Sequence, residues 1–295
     1  MMDVSGERLL PEQQRGQLVH AEHLARYRFA AQFAAGARVL DAASGEGYGA
    51  AILAAGGAAS VTGVDIDAHV VDAAREKYGL EFHASDVVDM PFADDSFDVA
   101  VSFETIEHVP DAAKAVAELR RVLRPGGRLV VSTPNSLRYR ADNEFHAREY
   151  TPEEFRELLT PHFPDVRFYY QQDWLTSAVL GEEQFAQDDE DAPLGLELTK
   201  VRGHSPGEQL FTVAVCGEES PTASETAVMT DIFEAHELLA WIPRALAAEA
   251  WIERSLEAER QLSQAREKVA TMEASLSWRV TRPVRAIAAR LRRTP

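Results

Sequence analysis

Short apolar runs alternate with amphipathic stretches along most of this chain. Strand-like runs fall at 38–43, 60–64, near 80–83, at 97–103 and at 128–133, each bounded by polar or glycine-bearing turns. Helical periodicity fills 12–35, where Leu18, Leu24, Tyr27 and Phe29 sit among alanines, then 47–56, 67–78 and 111–123. The run Phe-Asp-Val-Ala-Val-Ser-Phe at 97–103 is almost continuously apolar, as expected of a parallel strand buried on both faces. Arg124-Pro-Gly-Gly127 reads as a turn through which neither helix nor strand continues. This alternation predicts a doubly wound α/β domain.

Beyond 133 the pattern loosens. Thr151-Pro-Glu-Glu154 has the form of a capping box with proline at the first helical position, opening a helix over 152–160. Strands near 165–171 and 209–216 would complete the sheet. Between them, 181–208 is acidic and polar and includes Asp188-Asp-Glu-Asp191, a solvated loop or a substrate lid. The expected organisation is an N-terminal helical segment at 1–34, the α/β domain at 35–217, a linker at 218–229 and a helical extension at 230–295. In the extension Leu262, Ala265, Val269, Met272 and Leu276 alternate spacings of three and four, which fits a short coiled coil or a helix folded back on the body.

Charge divides the chain unevenly. It carries 30 basic and 48 acidic residues. The last 22 residues hold six arginines (279, 282, 285, 290, 292 and 293) and no acid, so residues 1–273 carry 30 − 6 = 24 basic against 48 acidic groups, a balance of −24. Such a body repels a phosphate backbone, and nucleic acid is not an expected partner. The arginine-rich end is basic and amphipathic, suited to an anionic membrane surface or to docking. One cysteine, Cys216, excludes an internal disulfide. No run approaches the roughly 18 apolar residues of a membrane span, and a cytoplasmic protein is expected, peripheral at the inner face of the membrane only if the tail binds there.

The candidate chemistry starts at 39–49, VLDAASGEGYG. An apolar strand runs through Asp41 into glycines 45, 47 and 49. Glycine is needed where a strand turns sharply into a helix and a ligand approaches bare backbone, since a Cβ would occupy the ligand's space. The spacing is GxGxG, without the lysine of a P-loop. Strand 60–64 ends at Asp65, 24 residues after Asp41, near the separation of about 20 at which βαβ nucleotide sites place an acid on ribose hydroxyls.

Taken together, VLDAASGEGYG, VTGVDID at 61–67, SDVVDMPF at 85–92, FDVAVSFETIEHVPD at 97–111 and LRRVLRPGGRLVVSTPN at 119–135 resemble class I S-adenosylmethionine-dependent methyltransferases over roughly 35–216. The resemblance implies a Rossmann-like, doubly wound, mostly parallel seven-stranded α/β sheet with the C-terminal helical extension appended. It also implies the cofactor S-adenosyl-L-methionine. Asp41, Ser44, Gly45 and Gly47 would hold its methionine portion and Asp65 both ribose hydroxyls. Ile66 would pack on the adenine, Asp86 take its amino group, Val87 line the ring, and Phe103 floor the site near the sulfonium. A dehydrogenase, the other owner of such a loop, has no reason to carry an EHV turn after the fourth strand.

The segment Glu104-Thr-Ile-Glu107-His108, with His146 shortly before Thr151, is similar to the ExxEH and later histidine of small-RNA 2′-O-methyltransferases, which bind a divalent metal. By that likeness Glu104, Glu107, His108 and His146 would hold Mn²⁺ or Mg²⁺, and Glu107, His108 and His146 would carry catalysis. Without a metal, His108 or His146 is the candidate base. In many class I methyltransferases the EHV turn only caps a helix and shapes the pocket, and that alternative stays open.

ERLLPE at 7–12, HAEHLARY at 20–27, FHxREYT at 145–151 and the SWRVTRPVR tail look like methyltransferases of bacterial surface-polysaccharide clusters. That likeness implies a sugar or glycan hydroxyl as acceptor, with the C-terminal helix serving homo-oligomerisation or docking on glycan-assembly enzymes. His20, His23, Arg26 and Tyr27 either line the cofactor or acceptor or are simply the solvated and packing faces of their helix. The alternatives are a natural-product or small-phenol O-methyltransferase with a histidine base, and a cofactor-binding scaffold.

Overall fold

A computed structural model describes residues 9–139, 145–174, 176–187, 194–195, 198–200, 203–219 and 221–230. Residues 231–295 of the extension with its arginines, Glu7 and Arg8, and Asp188–Asp191 lie outside the described residues.

Seven strands form one sheet in the order β3-β2-β1-β4-β5-β7-β6. Their ranges are β1 Arg38–Ala42, β2 Ser60–Asp65, β3 Glu81–Ala84, β4 Phe97–Ser102, β5 Leu123–Pro134, β6 Asp165–Gln171 and β7 Phe211–Gly217. β1 to β5 are parallel, and β7 runs antiparallel to both β5 and β6. The doubly wound, mostly parallel sheet expected from the alternation is therefore present.

Its central strands are buried on both faces with a period of two. Val39, Val99, Val101, Val130, Val213 and Val215 point into one core, and Leu40, Ala100, Leu129, Val131, Ala214 and Cys216 into the other. The helices are α1 Pro11–Gln14, α2 Leu18–Ala31, α3 Tyr48–Ala55, α4 Ala68–Tyr78, α5 Ala112–Val122, α6 Pro152–Leu159 and α7 Glu182–Ala186. α2, α3 and α4 cover the first core with Tyr27, Leu53 and Val71, while α5 and α6 cover the second with Leu119 and Phe155. Each fully buried Leu or Phe contributes roughly 1.5–3 kcal/mol.

Helix starts are chemically marked. Asp67 caps α4 by accepting from the His69 N–H at 3.0 Å, and Asp111 caps α5 through the Lys114 N–H at 3.0 Å. Both halves of the Thr151–Glu154 capping box form, at 3.2 and 2.9 Å.

Four expectations need correction. The single helix over 12–35 is two, interrupted at Gly16, whose φ of 82° is left-handed. Arg124-Pro-Gly-Gly127 does not stand outside the strands. β5 pairs with β4 at Leu123↔Phe97, skips, and resumes at Arg128↔Val99, so the Pro-Gly-Gly segment is an irregularity within the strand. Residues 182–186 of the acidic loop form a short helix. The segment read as a linker packs back on the body: Ser224 exchanges two hydrogen bonds with the Gln32 side chain, and Ala223 is buried, its N–H donating to Tyr169 Oη at 2.9 Å.

Candidate active site

The carboxyl ends of β1, β2 and β4 lie side by side, where open α/β sheets hold ligands. After β1 the chain turns through left-handed Ala43 (φ 66°), Gly45 (φ 52°) and Gly47 (φ 82°) into α3. Gly45 N–H donates to Asp65 Oδ2 at 2.9 Å, and Asp67 N–H donates to Asp65 Oδ1 at 3.0 Å. Asp65 thus fastens the loop to the end of β2 through both of its carboxylate oxygens.

The glycines have a further reason. A Cβ on Gly47 would stand 2.6 Å from the Phe82 ring, and one on Gly49 2.0 Å from the Tyr27 ring. The space that the sequence assigns to a ligand at these two positions is filled by the protein's own aromatic rings. Close packing, together with the left-handed φ of Gly47, is what selects glycine there.

Asp41 has no exposed surface, and among the described residues its side chain accepts from the Tyr27 hydroxyl, 3.1 Å from Oδ1. Burial pushes its carboxyl up to about 7 against the pull of that bond, with the charge of Asp65 adding to the rise. Ser44 is buried with its Oγ unpartnered. Ile66 is 72% exposed beyond β2, a large apolar side chain open to a planar ligand. Val87 is buried, and Asp86 is exposed, its Oδ1 accepting from the Val88 N–H at 3.1 Å.

α2 forms one wall of the site. Tyr27 meets Phe103 edge-on at 5.1 Å and Tyr48 at 5.3 Å, and His23 Nδ1 lies 2.7 Å from Tyr48 Oη. Burial drives His23 well below the ordinary imidazole range, with the Arg26 charge in support. Arg26 Nη1 donates to Gln171 Oε1 at 2.8 Å, and Gln171 Nε2 donates to the Glu22 carbonyl at 3.0 Å, so α2 is clamped to the end of β6. Glu22 and Asp173 hydrogen-bond to each other, and burial with Asp173's charge pushes Glu22 up to about 9. Glu22, Asp173 and Gln171 are functional candidates that sequence reading missed, because only the fold brings β6 to α2.

The second group lies just past β4. Glu107, His108 and His146 place their ligand atoms within 4.8 Å of one another, and the two imidazole rings are 4.8 Å apart and nearly perpendicular. Glu107 is 1% exposed; its Oε2 accepts from Thr133 Oγ1 at 3.2 Å, whereas Oε1 has no partner. Burial raises its pKa well above the usual range, reinforced by the charge of Glu104. His108 Nδ1 faces the Phe145 carbonyl at 3.2 Å. A carbonyl only accepts, so Nδ1 carries the hydrogen and Nε2 is the basic nitrogen. His146 Nδ1 is 3.4 Å from Glu149 Oε1, an ion-pair distance without hydrogen-bond alignment.

Glu104 does not join this group, contrary to the four-ligand expectation. Its backbone is left-handed (φ 48°), and Ser132 Oγ donates to its Oε1 at 2.5 Å. The strained turn aims its carboxylate at β5.

The comparisons with known proteins agree with this geometry. Residues 40–131 match the family model described as a methyltransferase domain. A protein of Mycolicibacterium smegmatis, named a probable S-adenosylmethionine-dependent methyltransferase, is 38% identical over 164 residues, covering 54% of this chain and 63% of its own length. A Penicillium expansum O-methyltransferase is 40% identical over 106 residues, 34% of this chain and 38% of its own. The chain thus spans less than two thirds of either curated relative. A solved S-adenosylmethionine-dependent methyltransferase of Thermotoga maritima superposes with a TM-score of 0.52 at 22% identity, covering 70% of this chain and 95% of that one. With this sheet order, a glycine loop after β1 and an acid closing β2, the chain has the class I S-adenosylmethionine-dependent methyltransferase fold.

Proposed function

We propose that this protein is an S-adenosylmethionine-dependent O-methyltransferase whose acceptor is a hydroxyl on a small organic molecule of the natural-product or phenol type. One juxtaposition carries the reading. Phe103 at the end of β4 contacts Tyr27, which bonds Asp41 beside the glycine loop, and the same turn delivers Glu107 and His108 to His146. A cofactor loop and a proton-handling group therefore flank a single strand end. The fit to the cofactor rests on the buried Asp41, on the Ser44 Oγ that has no partner among the described residues, and on the acid Asp65 closing β2 against the loop.

S-adenosylmethionine, when bound, supplies a methyl group already activated on a sulfonium. The chain's own task is alignment and proton removal. Asp41 takes the ammonium of the methionine portion, and Ser44, Gly45 and Gly47 shape the loop around it. Asp65 accepts from the ribose hydroxyls, Ile66, Asp86 and Val87 hold the adenine, and Phe103 closes the floor. His108 receives the acceptor proton on Nε2, its tautomer set by the Phe145 carbonyl. Phe145, which supplies that carbonyl, is itself half exposed. A relative named an O-methyltransferase supports oxygen as the methylated atom.

The donor set favours a second reading. One carboxylate and two imidazoles fit a divalent transition ion such as Mn²⁺ better than Mg²⁺, and the unpartnered Glu107 Oε1 is available to it. Such an ion would lower the pKa of a bound hydroxyl, and a vicinal diol of a sugar would then serve as acceptor.

Methyl transfer to a panel of phenols and hexosides, with and without chelator, separates the two. Transfer to phenols that survives chelation and falls about 100-fold or more in His108→Ala supports the first. Transfer confined to sugars, lost on chelation and restored by Mn²⁺, assigns the site to the second. Cofactor binding without transfer to any acceptor would leave a scaffold and refute both.

A further inference from the structure

Arg26 is 2% exposed and chemically underused. Its Nη1 is held by Gln171 at 2.8 Å and its guanidinium carbon lies 4.8 Å over the Phe211 ring, which fixes the plane of the group. Its Nε has no partner, and among the described residues Arg26 forms no ion pair. Glu22, Asp173 and Glu107 act on it electrostatically, but the first two are bonded to each other and none forms an ion pair with it. A buried guanidinium keeps its charge, so an unfilled donor in a fixed plane calls for an anion.

On α2, positions 23, 26 and 27 share one face. His23 reaches Tyr48 of the glycine loop and Tyr27 reaches Asp41, so Arg26 borders the place where the methionine portion is expected. That portion carries one cation at its amino group and one anion at its carboxylate. Beside it stand a buried acid, Asp41, and a buried base without an ion pair among the described residues, Arg26.

We infer that Arg26 binds the α-carboxylate of the cofactor's methionine portion through its free guanidinium edge, with Gln171 and Phe211 as positioning residues that hold the plane. The inference rests on the S-adenosylmethionine reading above. It makes α2 a binding element in its own right and the clamp to β6 a determinant of cofactor affinity.

Isothermal titration of the full chain with S-adenosylmethionine and with decarboxylated S-adenosylmethionine, which differ by the carboxylate, tests it without any acceptor. The wild-type chain is expected to bind the carboxylate form about tenfold or more tightly, the range of a charge-assisted hydrogen bond. In Arg26→Gln the two Kd values should converge to within about twofold, mainly because the carboxylate form weakens. Arg26→Lys, which keeps the charge but loses the fork, should fall between, and circular dichroism confirms that each variant is folded. If the glutamine variant does not fold, the lysine variant carries the test. Wild-type protein that binds both nucleosides equally, or a variant that weakens both by the same factor, overturns the role of Arg26 while leaving the cofactor reading intact. Failure of wild-type protein to bind either nucleoside overturns the cofactor reading and this inference with it.

Discussion

Asp41 shows how a residue proposed to bind the cofactor is held at the expense of stability. Its carboxyl is fully buried, accepts a hydrogen bond from the Tyr27 hydroxyl, and is pushed by burial up to about 7 from the ordinary 3.8. With the folded value above the unfolded one, the folded state retains a proton that the unfolded state has lost between those two pH values. Stability therefore falls as pH rises from about 4 to about 7 and is flat above, the full effect being roughly 4 kcal/mol as an upper bound. Glu22 and Asp173 are raised as well and add slope of the same sign, so wild-type protein must be read against a variant. Asp41→Asn should match wild type at pH 4 and exceed its melting temperature by several degrees at pH 8, while binding S-adenosylhomocysteine more weakly at both. Parallel melting curves at the two pH values would show that Asp41 is not the group responsible. Bound ligand should reverse the bias, because an ammonium beside Asp41 favours its ionised form. Binding at pH 6 should then release protons from wild type and not from the variant, a difference that titration in buffers of unlike ionisation enthalpy measures.

Among elements, α2 and α3 are interlocked through Gly49. The Tyr27 ring occupies the volume of a Cβ at that position, with ring atoms at 2.0 and 2.1 Å and the hydroxyl at 2.5 Å. Gly49→Ala must displace the ring, costing about 1–3 kcal/mol as overpacking and pulling the hydroxyl from Asp41. Tyr27→Ala should remove the clash, so the double variant should be more stable than the sum of the single changes, and neither single change should spare cofactor affinity. Strict additivity in chemical denaturation would show that the contact carries no coupling.

This interlock also marks the limit of what the sequence discloses. The strands were legible because burial on both faces leaves long apolar runs, and the cofactor loop because Asp41, its glycines and Asp65 are local signals. The Pro-Gly-Gly irregularity in β5 was not, since a tight turn and a looped-out strand segment share the same residues. Glu104 lay within the ExxEH pattern, yet a left-handed φ and the Ser132 hydroxyl, 28 residues away, turn it aside. Arg26 needs Gln171, 145 residues on, before its orientation has meaning. Periodicity reports which side of an element faces the core and says nothing of which distant side chain waits there.

For the molecule as a whole, every side chain assigned to the site lies between residues 22 and 211. The segment after β7 nevertheless contributes. Ser224 makes reciprocal bonds with Gln32 at the end of α2, at 2.9 and 2.8 Å, Ala223 is buried against the α2 face of the sheet, and Thr230 Oγ1 donates to the Gly16 carbonyl just before α2 begins. Both ends of the helix that carries Tyr27 and Arg26 are thus tied down from beyond the last strand. A chain ending after Glu234 should keep wild-type affinity for S-adenosylhomocysteine, because these ties survive. A chain ending after Glu219 loses them, and α2 is left held by its apolar face and the Arg26–Gln171 clamp. It should melt at a lower temperature and bind the nucleoside several-fold more weakly, with the loss concentrated in the dissociation rate. Equal affinity in the two truncated chains would show that the segment 220–230 is a passive covering, and a loss already present in the longer one would place part of the cofactor site beyond residue 234.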